Sequence, residues 1–288
     1  MPSTEPRKFT VADLRAARES GRKVPILTCY DYQMARFMQE AGLPALLVGD
    51  SAASVILGHP NTLSATLDFM IELTAAVRRG APQCLLIADM PFASYHASAA
   101  QAFKSVARMV QLSGCDCVKI EAAASHAGLI RRLADAGVAV IAHLGLRPQA
   151  IGIWGGYKAR GRTAAEAEQI VGLSARLARA GATAILLEAV PPEVSAAVVE
   201  AVSVPVIGCG AGPACHGHVF VTHDALGLTD HRPRFVPKLG DIAAPMLACF
   251  REYVRLVESG QYPRAEHLYE MPAEEKKAFT ATRDRRTK

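Results

Sequence analysis

Short apolar runs of about five residues recur along the chain, and a segment long enough for a helix separates each run from the next. Two of them, Ala45-Leu-Leu-Val-Gly49 and Cys84-Leu-Leu-Ile-Ala88, pass directly into a carboxylate, at Asp50 and Asp89. Runs of this length are typical of strands buried on both faces of a parallel sheet, although a short buried helix has the same pattern. A carboxylate at the end of such a strand is costly to bury unless it is paired or binds a metal.

The alternation of strands and helices predicts the fold class. The predicted strands are Pro25–Cys29, Ala45–Gly49, Cys84–Ala88, Cys117–Glu121, Ala139–His143, Ala184–Glu188, Pro205–Gly208 and, as the eighth, Arg234–Val236. A short helix capped by Thr10 precedes them, and a helix over Ile242–Glu258 follows. Such alternation implies βαβ units and favours an α/β fold of the (βα)8 TIM barrel type. The alternative is a doubly wound open sheet, but no Gly-rich dinucleotide-binding turn follows the first strand.

The composition limits the classes of partner and the number of domains. Half of the 288 residues are apolar and no linker divides the chain, which predicts one catalytic domain over 1–272 and a mobile charged tail over 273–288. The tail holds six Lys and Arg against three Asp and Glu, so it carries three of the five net positive charges. Because the body is nearly neutral, a nucleic-acid-binding role is not expected.

Membrane spans, targeting segments and cysteine usage bear on the expected cellular location. No apolar run is long enough for a membrane span, and the first residues resemble neither a secretory signal nor a transit peptide. The seven cysteines are an odd number scattered through apolar context, which favours reduced thiols over a disulfide framework. We therefore expect a cytoplasmic protein without a membrane partner.

Polar residues stand at the carboxyl ends of five consecutive predicted strands. They are Asp50, Ser51, Asp89, Lys119, Glu121, His143 and Glu188. In a barrel these ends meet at one mouth, where active sites lie. Each residue also has a structural interpretation: the aspartates as helix N-caps, Lys119 as the counter-charge of Glu121 or Glu188, and His143 as a buried core histidine. Five consecutive strand ends are hard to explain in that way, so the functional interpretation is favoured.

The residue types at these strand ends indicate a class of chemistry. The carboxylates of Asp50, Asp89 and Glu121 suit a hard divalent ion such as Mg²⁺, which polarises a carbonyl and stabilises an enolate. Lys119 can balance a substrate carboxylate or a developing oxyanion, and Glu188 is available as a general base. This set predicts proton abstraction beside a carbonyl, followed by attack on an electrophile. A Schiff base on Lys119 is the alternative mechanism.

Three other motifs indicate packing more than chemistry. The glycine-rich Gly208–Gly212 has no P-loop lysine and not all the glycines of the dinucleotide fingerprint, so we expect a close backbone approach at the mouth. The histidines His216, His218 and His223 have no second set of ligands. Cys115-Asp-Cys117 does not have the spacing of a redox pair.

Eleven short stretches resemble one family throughout its length. They are Thr28-Cys-Tyr-Asp31, Val48-Gly-Asp-Ser51, Gly58-His59, Ala76-Val-Arg-Arg-Gly-Ala-Pro82, Ala88-Asp-Met-Pro-Phe92, Val118-Lys-Ile-Glu121, His143-Leu-Gly-Leu146, Gly155-Gly-Tyr-Lys158, Leu187-Glu-Ala-Val-Pro191, Gly210-Ala-Gly212 and His223-Asp-Ala-Leu-Gly227. In these stretches the chain resembles the ketopantoate hydroxymethyltransferases of the phosphoenolpyruvate/pyruvate barrel superfamily. The resemblance implies a Mg²⁺-dependent transfer of a hydroxymethyl group from 5,10-methylenetetrahydrofolate to 3-methyl-2-oxobutanoate. The product, 2-dehydropantoate, leads to pantothenate.

The resemblance also implies roles for individual residues. It matches Asp50 and Asp89 with metal ligands, Glu121 with a third acidic group at the ion, and Glu188 with the proton acceptor. The positions that match the oxo-acid site are Asp50, Ser51, Asp89, Lys119 and His143. The partners implied are small molecules, an oxo acid and a folate. The family also implies a homo-oligomer, usually a decamer.

The chain departs from the family pattern at Ala52-Ala53, at Ala122 and over Pro213–His218. These departures lie near the predicted mouth, so they bear on the folate pocket and on the preferred oxo acid. One rival hypothesis is a related enzyme for another 2-oxo acid, or a carbon–carbon lyase of the same superfamily. A rival of a different class is a catalytically silent scaffold that kept the barrel.

Overall fold

Eight parallel strands close into a barrel in a computed structural model that describes residues 7–286. Neighbours in sequence are neighbours in the barrel, and β8 pairs back to β1. The strands are β1 (Val24–Thr28), β2 (Ala45–Val48), β3 (Leu85–Asp89), β4 (Cys117–Glu121), β5 (Ala139–Gly145), β6 (Ala184–Glu188), β7 (Val206–Cys209) and β8 (Gly217–Phe220).

Helices follow most of the strands, as βαβ connections require. They are α1 (Val11–Glu19), α2 (Tyr32–Glu40), α3 (Ala52–Val55), α4 (Leu67–Gly80), α5 (Ala99–Ser113), α6 (Ala127–Asp135), α7 (Ile151–Trp154), α8 (Ala164–Arg179), α9 (Pro192–Ala201), α10 (Thr222–Ala225), α11 (Ala243–Glu258) and α12 (Ala273–Arg286). The predicted TIM barrel is therefore confirmed, and the first seven predicted strands lie within two residues of the observed ones.

The prediction for the eighth strand was wrong. The strand is Gly217–Phe220, and a Cβ atom on Gly217 would lie 2.9 Å from the backbone oxygen of Val24 in β1. The absence of a side chain thus allows this short strand to close the barrel. The segment predicted as a strand instead makes a turn, in which the Val236 amide donates to Pro233, and the ring of Phe235 packs against Gly210.

Two hydrophobic clusters divide the strand residues between the barrel interior and the helix layer. Leu85 and Ile87 of β3 belong to the inner cluster, whereas Leu86 and Ala88 belong to the outer one. Because strand side chains alternate between faces, Asp89 continues the inward row. The same alternation holds in β4, β5 and β6, so the predicted polar strand ends project into the barrel above its inner apolar core.

The amino-terminal helix α1 contributes to the inner cluster through Leu14 and Ala17. Thr10 begins the helix as predicted, and Asp13 accepts hydrogen bonds from the Thr10 amide at 2.9 Å and from its hydroxyl at 2.7 Å. These capping contacts satisfy donors that a helix end leaves free. The helix therefore joins the inner core from outside the barrel strands.

The chain divides into two compact units at Leu239 and Gly240. The first contains the eight strands, and the second contains α11 and α12. The charged tail predicted from Ala273 onward forms α12 in the part that the structure describes. Within residues 7–286, no helix has the length and apolar character that crossing a membrane requires.

A close contact between two helices allows a prediction for stability. A Cβ atom on Gly80 of α4 would lie 2.3 Å from the backbone oxygen of Tyr32 and 2.8 Å from Cβ of Ala35 in α2. We expect Gly80→Ala to lower the free energy of unfolding by about 1–3 kcal/mol through overpacking. Gly172→Ala, on the exposed side of α8 with no atom within 4 Å of its Cβ, should instead raise it by about 0.5–1 kcal/mol. Urea denaturation measures both, and equal stability of Gly80→Ala and wild type would contradict the contact.

Candidate active site

The predicted strand-end residues converge at the carboxyl-terminal mouth of the barrel. Asp50, Asp89, Lys119, Glu121 and His143 are all less than 10% exposed. The side chain of Glu188 is 19% exposed, so it is the most accessible ionisable group of the set. Parallel strands bring these residues together because their carboxyl ends form one edge of the closed sheet.

Four of these side chains form a continuous polar row across β3, β4, β5 and β6. Lys119 Nζ lies 3.1 Å from Asp89 Oδ1 and 3.2 Å from His143 Nδ1. On the far side of the ring, His143 Nε2 lies 3.3 Å from Glu188 Oε2. The structural alternatives for Lys119 named Glu121 and Glu188, but its ion-pair partner is Asp89. The row links one carboxylate to another through an ammonium group and an imidazole.

The row also determines which nitrogen of His143 carries the proton. A lysine ammonium is a donor only, so His143 Nδ1 must accept from Lys119. Burial is the largest effect on the His143 ring, and together with the charge of Lys119 it lowers the pKa well below the usual value. The ring is therefore neutral, with its proton on Nε2 directed toward Glu188. The 3.3 Å contact is too poorly aligned for a hydrogen bond, since His143 Nε2 has no partner in the described residues.

Burial raises the pKa of three carboxyl groups at the mouth toward neutrality. Burial raises the pKa of Glu188 to about 7, although Lys119 opposes the shift. Burial likewise raises the pKa of Asp89 to about 7 against the same lysine, and that of Glu121 to about 8. A pKa near neutrality is what a general base requires.

Lys119 remains positively charged in this setting. Burial by itself would lower the pKa of Lys119, but the carboxylates of Asp89, Asp50 and Glu121 raise it above its usual value. A lysine that attacks a carbonyl has to be neutral, so its pKa has to fall. The geometry thus favours a charge-balancing role for Lys119 over the Schiff-base alternative.

Gln149 connects the site and was not identified from the sequence. It lies in a 3₁₀ turn, Pro148–Ala150, in the long loop after β5. Its Nε2 donates to Asp50 Oδ2 at 2.8 Å, its backbone amide donates to Glu121 at 3.0 Å, and its Oε1 accepts from Tyr95 at 2.8 Å. One residue thereby holds the carboxylates at the ends of two strands, Asp50 through its side chain and Glu121 through its backbone amide, which no local pattern in the sequence could indicate.

Ser51 faces a second residue that the sequence analysis missed. The Tyr30 hydroxyl and Ser51 Oγ lie 2.8 Å apart at the end of β2. A Cβ atom on Gly49 would lie 2.7 Å from Ser51 Oγ, so glycine there leaves room for the hydroxyl. Ala52 and Ala53 are completely buried in α3, so these two departures from the family pattern contribute no accessible side chain to the mouth.

The residues present suit a divalent metal ion at Asp50 and Asp89. The Asp50 amide donates to Asp89 Oδ2 at 3.1 Å, which brings the two carboxylate-bearing residues side by side. Asp89 Oδ1 is buried without an aligned hydrogen bond in the described residues, so it has a free lone pair for a cation. The described part of the chain contains no group of three His, Cys, Asp or Glu side chains arranged around a metal position. Mg²⁺ is commonly held by one or two carboxylates together with water and substrate oxygens.

The position of Glu188 depends on a glycine in the neighbouring strand. Gly145 adopts φ +87°, and a Cβ atom there would lie 2.3 Å from the backbone oxygen of Glu188. Glu188 O accepts a hydrogen bond of 2.8 Å from the Leu146 amide. After Glu188 the chain turns through Ala189, at φ +48°, a region that non-glycine residues seldom occupy. Strained backbone of this kind is concentrated at functional sites.

This fold and site define a barrel enzyme with a buried acid–base row at the strand ends. Solved structures with the same fold include phosphonopyruvate hydrolase, with a TM-score of 0.60 and 17% identity over 97% of each chain. Another is 2,3-dimethylmalate lyase, described as a member of the PEP mutase/isocitrate lyase superfamily, with a TM-score of 0.58 and 19% identity over 92% of this chain and 93% of that one. At these identities the similarity concerns the fold alone.

Sequence relatives define the family more narrowly. The sequence model of ketopantoate hydroxymethyltransferase matches residues 8–265, and the chain belongs to this family of transferases. The 3-methyl-2-oxobutanoate hydroxymethyltransferase of Thermoanaerobacter sp. (strain X514) is 39% identical over 94% of this chain and 99% of its own length. The protein of the same name from Thermobifida fusca (strain YX) is 40% identical over 91% of this chain and 94% of its own length. The resemblance inferred from the motifs is confirmed.

Proposed function

We propose that the protein transfers a hydroxymethyl group from 5,10-methylenetetrahydrofolate to 3-methyl-2-oxobutanoate and so forms 2-dehydropantoate for pantothenate synthesis. The observation that carries this proposal is the row from Asp89 through Lys119 and His143 to Glu188. Burial raises the pKa of both end carboxyl groups to about 7, but the Glu188 side chain is 19% exposed and can reach a substrate, whereas Asp89 is buried beside Asp50. Membership of the family supports the choice of substrates.

The chain's own residues perform the proton transfer in this proposal. Glu188 removes the proton from C3 of the oxo acid, and the electron pair of the broken C–H bond forms the enolate. Lys119 balances the negative charge that develops, because its ammonium group is fixed between Asp89 and His143. Water adds to the one-carbon unit of the donor, both of its C–N bonds break as the two nitrogens take protons, and tetrahydrofolate leaves a carbon at the oxidation level of formaldehyde. The enolate carbon then bonds to this carbon, and the new oxygen takes the proton held by Glu188 to become the hydroxyl group.

Asp50 and Asp89 are the residues that would hold Mg²⁺, with Glu121 acting on the ion through water. A bound Mg²⁺ supplies Lewis acidity at the 2-oxo carbonyl. Both oxygens of Glu121 accept from the Gln149 amide, at 3.0 and 3.2 Å, so this carboxylate is held in place beside the pair. Ser51 and His143 complete the proposed contacts with the oxo acid.

The proposal is tested by identifying the product. The purified protein is incubated with Mg²⁺, 3-methyl-2-oxobutanoate and 5,10-methylenetetrahydrofolate, and mass spectrometry measures 2-dehydropantoate. Other 2-oxo acids, with and without the folate, separate the proposed activity from that of a related transferase or lyase. If no oxo acid gives a product and calorimetry detects no Mg²⁺-dependent binding of the acid, the silent scaffold is the better interpretation.

The raised pKa of Glu188 leads to a prediction for the pH dependence of the first step. Only the ionised carboxylate can take the C3 proton, so exchange of that proton with solvent deuterium should rise with pH through about 7 and then level off. Saturating Mg²⁺ keeps Asp89 ionised, because a bound cation favours its carboxylate form. The measurement is NMR of the oxo acid without folate from about pH 5 to 9. A rate that is independent of pH over this range would contradict the role of Glu188.

We also propose a cytoplasmic homo-oligomer, on the support of the family resemblance, with residues 1–272 as the catalytic domain and 273–288 as a tail. Size-exclusion chromatography with light scattering measures the number of subunits. Deletion of the tail tests whether the shorter chain retains activity, as the proposed domain boundary requires.

A further inference from the structure

A cavity of about 170 Å³ lies beside the candidate active site, between the segment after β4 and the amino-terminal part of α8. Its apolar lining includes Ala123, Leu144 and Ile170, and its charged lining includes Arg147 and Arg160. Sites for whole drug-sized ligands occupy about 300–1,000 Å³. The cavity therefore suits one end of a larger ligand.

Two arginines give this cavity a net positive charge. The guanidinium carbons of Arg147 and Arg160 each lie 4.9 Å from the ring centroid of Trp154. Arg160 forms an ion pair of 2.9 Å with Glu166, which also accepts from the Gly161 amide at 3.1 Å. In the part of the chain that the structure describes, Arg147 forms no ion pair.

Arg147 has unused hydrogen-bonding capacity. One of its guanidinium nitrogens donates to the Ala122 oxygen at 3.1 Å, and arginine has five N–H donors in a planar fork. A fork of this kind matches the two oxygens of a carboxylate. Two guanidinium groups against the one carboxylate of Glu166 leave one positive charge in the lining. The cavity thus has the chemistry to bind an anion.

Backbone hydrogen bonds attach both arginines to the segment that carries the proposed base. The Arg160 amide donates to the Ala189 oxygen at 2.9 Å, and the amide of Leu146, which precedes Arg147, donates to the Glu188 oxygen at 2.8 Å. Arg147 also contacts Ala122, the residue that follows Glu121. These contacts hold the lining of the cavity against the segment that carries Glu188 and against the end of β4.

We propose that the cavity lined by Arg147 and Arg160 binds the glutamate carboxylates of the one-carbon donor. This inference rests on the proposed function, because it assigns a binding site to the folate of that reaction. The pteridine and the one-carbon unit of the donor lie at the mouth, and its glutamate end carries the negative charge that the two guanidinium groups complement. Trp154 packs against both arginines and so fixes their position.

The test compares donors with and without the glutamate. We expect Arg147→Gln to raise the KM for 5,10-methylenetetrahydrofolate about tenfold, the effect of losing a hydrogen bond to a charged group. The KM for the amide of methylenetetrahydropteroate, which has neither the glutamate nor a free carboxylate, should be the same in the variant and the wild type. Arg132→Gln, which removes an exposed arginine of α6 outside the cavity, is the control and should leave both KM values unchanged.

Measuring exchange of the C3 proton distinguishes a failure of this inference from a failure of the proposed function, because the exchange needs no folate. If the wild type exchanges the proton and Arg147→Gln raises both KM values equally, Arg147 only supports its loop and the inference is overturned. An unchanged KM for the folate donor also overturns it. If the wild type neither exchanges the proton nor forms the product, the proposed function itself has failed.

The fluorescence of Trp154 gives a direct binding signal, because it is the one tryptophan of the chain. Tetrahydrofolate should change the emission of the wild-type protein, and the amide of tetrahydropteroate at equal occupancy should change it much less. Inorganic phosphate is the third ligand. If phosphate alone saturates the signal while tetrahydrofolate leaves it unchanged, the cavity binds a free anion and the assignment to the donor is wrong.

Discussion

Replacing Glu188 with glutamine is expected to slow exchange of the C3 proton of 3-methyl-2-oxobutanoate by about 10²–10⁴-fold, the usual contribution of a positioned general base. Glutamine has the shape of glutamate and retains an oxygen that can face His143 Nε2, now at 3.3 Å from Glu188. The substitution therefore removes the proton acceptor while leaving the packing of the mouth nearly unchanged. Product formation should fall by the same factor if proton removal limits the rate.

The exchange is measured by NMR in deuterium oxide with Mg²⁺ and without folate. Glu193→Gln is the matched control, since Glu193 is an exposed residue in the first turn of α9, five positions further along the chain. The control should exchange the proton at the wild-type rate. If Glu188→Gln also does so, another group takes the proton and the proposed role of Glu188 has to be abandoned.

The parts of the fold and site that could be predicted from the sequence follow from the alternation of side chains along a strand, which places every second residue on the same face. Lys119 and Glu121 are two residues apart, and Asp89 follows Ile87 by two, so each continues an inward-facing row. The carboxyl ends of parallel strands meet at one mouth. From the two-residue period and the common mouth it can be predicted that the charged strand ends form one site, even though the structure of the loops is not known.

What the sequence could not predict depends on contacts between distant segments. β8 was missed because its closure of the barrel relies on Gly217 fitting against Val24, not on an apolar run. Gln149 was missed because its partners Asp50 and Glu121 are 99 and 28 residues away along the chain. A polar residue in a loop shows its role only when the strands that it connects are in place.

The order of the side chains in the polar row couples the two ends of the site. Lys119 lies between Asp89 and His143, so its positive charge competes with a cation for Asp89 and at the same time fixes the His143 proton on Nε2. The row thus couples the proposed metal end of the site to its base end. A substitution at one end should therefore be tested for effects at the other.

Asp89→Asn is expected to reduce turnover by at least about 100-fold and to weaken Mg²⁺ binding, since even residues that only support metal ligands commonly contribute 10–100-fold. Asparagine retains an oxygen for the Asp50 amide, which now donates to Asp89 Oδ2 at 3.1 Å, but it removes one negative charge from the proposed ion site. Asp68→Asn is the control, because the Asp68 side chain is 75% exposed and pairs with Arg108.

The Lys119→Met variant tests whether Asp89 is a metal ligand or only positions Lys119. Nζ of Lys119 lies 3.1 Å from Asp89 Oδ1, so removing this competing ammonium should tighten Mg²⁺ binding while turnover still falls. If Asp89 acted only by holding Lys119, both variants would alter Mg²⁺ affinity in the same direction. Calorimetry without the oxo acid measures the affinity, so that the proposed contact of Lys119 with the acid does not contribute. Opposite shifts in the two variants support the metal site at Asp50 and Asp89, whereas wild-type affinity in Asp89→Asn would rule out Asp89 as a ligand.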